Sequence, residues 1–258
     1  MPSLIVFVFG TIIGSFLNVC IFRIPKGESV VWPGSHCLAC GHPIAWYDNV
    51  PVVSFFALKG RCRHCRTKIS WRYVFVEIFT ALIFVLFYRQ FGLSIKGLVY
   101  FLLSLALIVE SAIDLQHEII PDVITLPGIL IGLLVSALFP ALQDETMWTA
   151  GLFKSFIGVL VGGGFLYASA VAAEFVLKKE AMGGGDVKLL GMLGAFLGWR
   201  GCLWTIFVSS LIGSVIGIYL RLKNGQRQIP FGPYLAAAAV LYVFFGEKVM
   251  AWYWHITG

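Results

Sequence analysis

Three aspartates and two cysteine pairs are the residues of this 258-residue chain whose spacing can support chemistry. Asp114 and Asp122 lie in SAIDLQHEIIPDVITLP, and Asp186 lies in AMGGGDVKLLGMLGAFLGW. Each stands at the end of a long apolar run, and ionisable groups at membrane depth are costly enough to be functional by default. If a helix continues as far as Asp114, its carboxylate faces the negative end of the helix dipole, a poor place for an anion with only a structural task. Asp186 follows three glycines, which are expensive in backbone entropy unless another chain segment must come close. Two carboxylates brought within hydrogen-bonding distance do not readily both ionise; one keeps a proton and the other acts as a base. Such a pair can activate water against a peptide carbonyl and then protonate the leaving amine. The spacing permits Asp114 and Asp186 to pair. Asp122, after Pro121, reads as a helix N-cap on a proline-set turn or as a group lining the same site. The bland alternatives are a headgroup-solvated Asp114 and an N-capping Asp186. Lys188 stands two residues beyond Asp186, where it can bias the local field.

The cysteines form a second centre. Cys37, Cys40, Cys62 and Cys65 make two CxxC pairs within GSHCLACGHPIAWYDNVPVVSFFALKGRCRHC. Each pair can turn two thiolates toward one tetrahedral zinc, and four protein thiolates leave no open position for substrate or water. Gly41 and Gly60 flank the pairs, and Arg61, Arg63, Arg66 and Lys68 favour thiolates. Two disulfides or free thiols are the alternatives, and disulfides need an oxidising compartment. The three nearby histidines are expected to be solvated rather than ligating, and Cys20 and Cys202 to be packing residues.

These groups sit in an oily chain: 59% of residues are hydrophobic and 12% charged, against about 25% charged in soluble domains. The expectation is an all-α polytopic membrane protein, since continuous apolar runs specify helices rather than barrel strands. About eight spans are predicted, at Leu4–Phe22, Tyr73–Tyr88, Leu98–Ile113, Ile124–Leu142, Leu152–Leu177, Val187–Leu197, Leu203–Leu220 and Tyr234–Trp254. The sixth is short and can be a short helix or part of a re-entrant arrangement. The N-terminal run lacks a basic leader and a cleavage site, so it reads as a retained helix rather than a signal peptide. Residues 1–22 are thus the first span, 23–72 a small zinc-ribbon-like loop subdomain, and 73–258 the remaining membrane domain. If the loop after the first span is cytoplasmic, thirteen of the 19 Lys and Arg fall on the inner side, as the positive-inside rule requires. The net charge of +6 then reads as attraction to anionic lipid headgroups rather than to nucleic acid.

In the blocks GSFLNVCIFRIPKGES, DNVPVVSF, ISWRYVFVE, DLQHEIIPDVIT, GGGDVKLLGMLGAFLGW and IPFGPYLA, the chain resembles the type IV prepilin peptidases. These are bifunctional leader peptidases and N-methyltransferases of the intramembrane GxGD aspartyl protease type. A lone GxGD is weak, but all these blocks in order are specific. The resemblance implies that Asp114 and Asp186 are catalytic, with Gly183 and Gly185 as the motif glycines and Asp122 secondary. It implies cleavage of a basic leader from prepilins or pseudopilins at the cytoplasmic face of the bacterial inner membrane. It also implies methylation of the new N-terminus with S-adenosylmethionine, the zinc loop being associated with that second activity. No soluble-type methyltransferase glycine motif is present, and Glu77 and Gly60 are the methylation candidates near the loop.

Two other readings compete. A proton- or ion-coupled transporter would place acidic residues nearer mid-span within an inverted repeat, and only Glu77, Glu110 and Glu174 speak for it. A zinc-dependent membrane adaptor would use the aspartates as caps and would tolerate Asp→Asn changes but not Cys→Ser.

Overall fold

The computed structural model describes residues 2–177, 183–224, 229–246 and 248–249. Its elements are α1 (Pro2–Arg23), α2 (Val53–Ala57), α3 (Arg72–Phe91), α4 (Ile95–His117), α5 (Asp122–Leu138), α6 (Trp148–Leu177), α7 (Gly184–Asn224) and α8 (Gly232–Leu241). A π-helical turn, Tyr242–Gly246, extends α8. Among the described residues five helices, α1, α3, α4, α6 and α7, are long and apolar enough to cross a membrane, and α5 and α8 are shorter apolar helices. No β-strand is present among the described residues; two isolated bridges, His36 with Pro43 and Arg61 with Lys68, are the only extended pairing there. The fold is thus an all-α polytopic membrane protein with a four-cysteine loop. The predicted end of the last span, at Trp254, lies outside the described residues.

The sixth and seventh predicted spans are the two helical segments of α7, which meet at a kink where Gly198 leaves helical geometry at φ 67° and ψ −179°. At 1.5 Å per residue its 41 residues would reach about 60 Å, twice a bilayer core, so the bend makes two segments of it. The bend frees carbonyls that lipid cannot satisfy. Ser155 Oγ donates to Ala195 O at 2.6 Å, Ser136 Oγ to the same oxygen at 3.1 Å, and Gln143 Nε2 to Phe196 O at 3.1 Å. The segment before the bend is the core of its neighbourhood, with Leu189, Leu190, Met192, Leu193 and Ala195 fully enclosed.

The chain divides into two compact units, Met1–Val109 and Glu110–Gly258, with the boundary inside α4. In the first unit α1 lies directly on α3. A Cβ at Gly10 would fall 2.5 Å from the Ala81 Cα, and one at Gly14 2.7 Å from the Glu77 Cα. In the second unit, Gly158 and Gly162 of α6 meet the backbone of α7 at Gly194 and Leu190. The small-residue spacings of the sequence therefore serve close packing within the protein.

Candidate active site and metal centre

The cysteine loop belongs to the first unit. Two matching turns present the sulfurs. The Cys37 amide donates to His42 O and the Gly41 amide to Cys37 O; the Cys62 amide donates to Thr67 O and the Arg66 amide to Cys62 O. Gly41 and Arg66 hold equivalent left-handed positions, at φ 68° and 60°. The ligand atoms of Cys37, Cys40, Cys62 and Cys65 all lie within 4.8 Å of one another. Cys37 and Cys65 Sγ are 3.8 Å apart, which is the sulfur separation of a tetrahedron with Zn–S bonds of about 2.3 Å. It is far too long for a disulfide. The donor set and its size fit a structural zinc.

The loop also favours thiolates. Backbone amides of Cys40 and Ala39 lower the Cys37 pKa, and the Thr67 hydroxyl and amide lower that of Cys65 to about 6. The His42 amide acts in the same sense on Cys40, but burial and the neighbouring thiols push it up to about 11, so a cation is what would let all four sulfurs ionise together. His42 and His64 stack on each other at 4.4 Å and do not join the cluster.

Other bonds seat the loop. Arg23, buried at the end of α1, donates to Ser29 O and Gly34 O at 3.0 and 3.3 Å. Arg63 donates twice to the Asp48 carboxylate at 2.6 Å, and this hydrogen bonding holds Asp48 below its usual pKa. Gly60, at φ 64°, turns under the Phe55 ring, which a Cβ would meet at 3.0 Å. Glu77 of α3 accepts the Val52 amide through Oε2 at 2.7 Å. Val52 itself stands at φ 62° and ψ −54°, and the Val53 amide bonds back to Pro51 O at 2.6 Å. This is the strained form of the γ-turn, held by a β-branched residue at a cost of about 1–3 kcal/mol.

The aspartates belong to the second unit. Asp114, in the last turn of α4, is 5% exposed and accepts the Gly232 amide through Oδ2 at 2.9 Å. Asp186 is the third residue of α7, its amide donating to Gly183 O at 3.2 Å. It is therefore inside the helix rather than at its N-cap, and it lies within electrostatic reach of Asp114. Gly185 explains part of the glycine run: a Cβ there would come 2.8 Å from the Ile120 Cβ, in the turn that follows Asp114. A Cβ at Gly183 would lie 3.9 Å from the Asp186 Oδ2.

Asp122 corrects the capping expectation. Pro121 occupies the cap position of α5 without a side-chain bond, and Asp122 binds Lys188 Nζ through both oxygens at 2.7 Å. That exposed pair sets α5 against α7; it contributes little stability, about 0–1 kcal/mol. Lys188 is thereby directed to Asp122.

The partner of Asp114 was not foreseen from sequence. Its signal is in IPFGP, where prolines at 230 and 233 lack amides and leave Phe231 and Gly232 as the donors at the head of α8. One turn before Asp114, Glu110 is 1% exposed and neither oxygen has a hydrogen-bond partner.

Comparison with known proteins identifies the family of the chain. Residues 8–91 match the Bacterial Peptidase A24 N-terminal domain, and residues 99–218 match the Type IV leader peptidase family. The chain is 35% identical over 269 residues to the prepilin leader peptidase/N-methyltransferase of Pseudomonas putida, covering 95% of this chain and 91% of the relative. It is 36% identical over 279 residues to that of Pseudomonas aeruginosa, covering 96% and 92%. Identity is also 36% over 278 residues to that of Aeromonas hydrophila, with the same two coverages of 96% and 92%. No solved structure is a significant match. With both domains matched in order and relatives of this identity along nearly the whole length, the chain belongs to the Type IV leader peptidase family.

Proposed function

We propose that this protein removes the basic leader from type IV prepilins and pseudopilins with Asp114 and Asp186, and then N-methylates the exposed terminus with S-adenosylmethionine. The observation that carries the first step is the placement of two acidic side chains from separate helices of one unit within electrostatic reach of each other.

The chemistry follows from how the pair is held. An oxygen that accepts an amide is the less basic of its carboxyl group and the poorer seat for the shared proton. The proton of the pair therefore sits on Asp114 Oδ1 or on Asp186. Water held between the carboxyl groups loses a proton to the ionised member and attacks the scissile carbonyl. The protonated member then serves the departing amine. The Gly185 contact with Ile120 sets the turn after α4 against the head of α7, and the Asp122–Lys188 pair sets α5 against α7.

Zinc in the Cys37, Cys40, Cys62 and Cys65 set would hold the 23–72 loop together as the methylation-associated domain, with the peptidase groups in 73–258. The surplus of Lys and Arg on one side supports an inner-membrane protein with its catalytic side in the cytoplasm and its loop on anionic lipids. Membership of a peptidase family disfavours the transporter and adaptor readings.

The test is leader removal from a model prepilin by purified wild-type protein and the Asp114→Asn and Asp186→Asn variants, followed by mass spectrometry. Both variants should lose cleavage while keeping zinc. Retained cleavage in either one would sink the pair.

A further inference from the structure

A cavity of about 1310 Å³ opens in the first unit between α1, the start of α3 and the cysteine loop. That exceeds the roughly 300–1,000 Å³ of a single small-molecule pocket and gives room for two reactants. On the α1 side it is lined by Phe7, Thr11, Ser15, Asn18 and Phe22. Their spacing of three and four residues makes one helix face, about 22 Å long. The polar atoms on this face are already used. Thr11 Oγ1 donates to Val8 O at 2.7 Å, and Asn18 Nδ2 donates to Tyr73 O at 3.1 Å. The face therefore offers mainly aromatic and methyl surface.

Glu77 enters the same cavity from α3. Its Oε2 takes the Val52 amide, and Ser15 acts on the same carboxylate. The charged groups on the wall are Arg23, Lys68, Arg72 and the Asp48–Arg63 pair. Tyr47, Tyr73, the loop histidines His36, His42 and His64, and the sulfurs of Cys37 and Cys62 complete its titratable lining. Asp48 is taken by Arg63, so Glu77 is the carboxylate left for an incoming cation.

An apolar stripe that leads to a carboxylate matches an apolar helix with a positive charge at its head. We propose that this cavity docks the N-terminal helix of the matured substrate along α1, and that Glu77 is the base that takes a proton from its α-ammonium before methyl transfer. The inference rests on the methyltransferase reading above. The ammonium gives one proton to the Glu77 carboxylate. The freed nitrogen lone pair attacks the methyl group of the sulfonium donor. The N–C bond forms as the C–S bond breaks, and the C–S electron pair stays on sulfur as a thioether. The product is an N-methylammonium, and Glu77 returns its proton to water. A lipid acyl chain would suit the stripe but would leave Glu77 unused.

The experiment uses the full chain in lipid vesicles, a synthetic peptide with the mature pilin N-terminus, and methyl-labelled S-adenosylmethionine. In Glu77→Gln the amide oxygen still accepts from Val52, so zinc content and leader cleavage stay at wild-type levels. Methylation at pH 7 should fall about tenfold, because only about a tenth of an amine with a pKa of about 8 is neutral at that pH without a base. Above the amine's own pKa of about 8 the neutral nucleophile forms without help, so the defect should narrow at pH 9. A wild-type rate at pH 7, or a defect that does not change with pH, overturns the base assignment. Thr11→Trp should raise KM for the peptide with KM for the methyl donor unchanged; an unchanged peptide KM overturns the groove. Wild-type protein that cleaves leaders but transfers no methyl group would instead overturn the methyltransferase reading itself.

Discussion

The amide of Gly232 donates to Asp114 Oδ2 at 2.9 Å across 118 residues of sequence. This bond joins the head of α8 to the last turn of α4, and it fixes which carboxylate oxygen faces the protein. A Cβ at residue 232 would lie 2.7 Å from the same oxygen. Gly232→Ala must therefore rotate the Asp114 carboxyl or move the IPFGP turn. Displacement of a catalytic group by about 1 Å costs about 100-fold. The variant should lose that much kcat in leader cleavage while KM for the prepilin stays within about threefold, as steady-state kinetics would record. An unchanged kcat would show that the bond does not set the reactive geometry.

Replacing any one of the four clustered cysteines should release the metal and loosen the loop. Cys37→Ser leaves three thiolates and an unpartnered position in a site sized for four, and structural zinc sites contribute folding energy directly. Metal analysis should find less than a tenth of the wild-type zinc. Limited proteolysis should open the loop between residues 35 and 70, while α1 and α3, locked at Gly10 and Gly14, stay protected. Retained zinc in Cys37→Ser would exclude a four-thiolate site.

Much of this fold was legible because its signals are local. Apolar runs placed the membrane helices, CxxC spacing placed the metal centre, and the glycine spacings marked where helices touch. The aspartates were legible as charges in oil. Three of the misses share one physical cause: each is a backbone amide or carbonyl, which every residue possesses and no sequence pattern marks. Gly232 acts through its N–H, Val52 through an amide aimed by an unfavourable φ, and Ala195 through a carbonyl freed at the Gly198 bend. The separation of the sixth span from the seventh was legible as a break between two apolar runs, and the backbone leaves helical geometry there, at Gly198. Asp122 was misread as a cap because its partner, Lys188, lies 66 residues away.

Gln143 is the test of that bend. Its amide nitrogen donates to Ala195 O at 3.3 Å and Phe196 O at 3.1 Å, and its Oε1 lies 2.7 Å from where a Gly198 Cβ would stand. Gln143→Leu keeps the volume and removes the donors. Ser136 and Ser155 still serve Ala195, so the Phe196 carbonyl loses the most. An unsatisfied buried carbonyl costs about 1–3 kcal/mol, and thermal unfolding in detergent should show a loss of that size. Wild-type stability would mean that water fills the gap.

Glu110 presents the opposite case. Its carboxyl is 1% exposed, neither oxygen has a hydrogen-bond partner, and Asp114 acts on it electrostatically from one turn away. A buried polar group without a partner carries its full desolvation cost. Replacing it with an apolar residue of similar length removes that cost at little change in volume. Glu110→Met should therefore raise stability by about 1–3 kcal/mol, seen as a higher midpoint of thermal unfolding in detergent. Leader cleavage should stay within about threefold of wild type, since Asp114 keeps its bond to Gly232 and the helix keeps its register. A stabilised variant that no longer cleaves would give Glu110 a part in the reaction, and a destabilised one would mean that its oxygens hold a buried water.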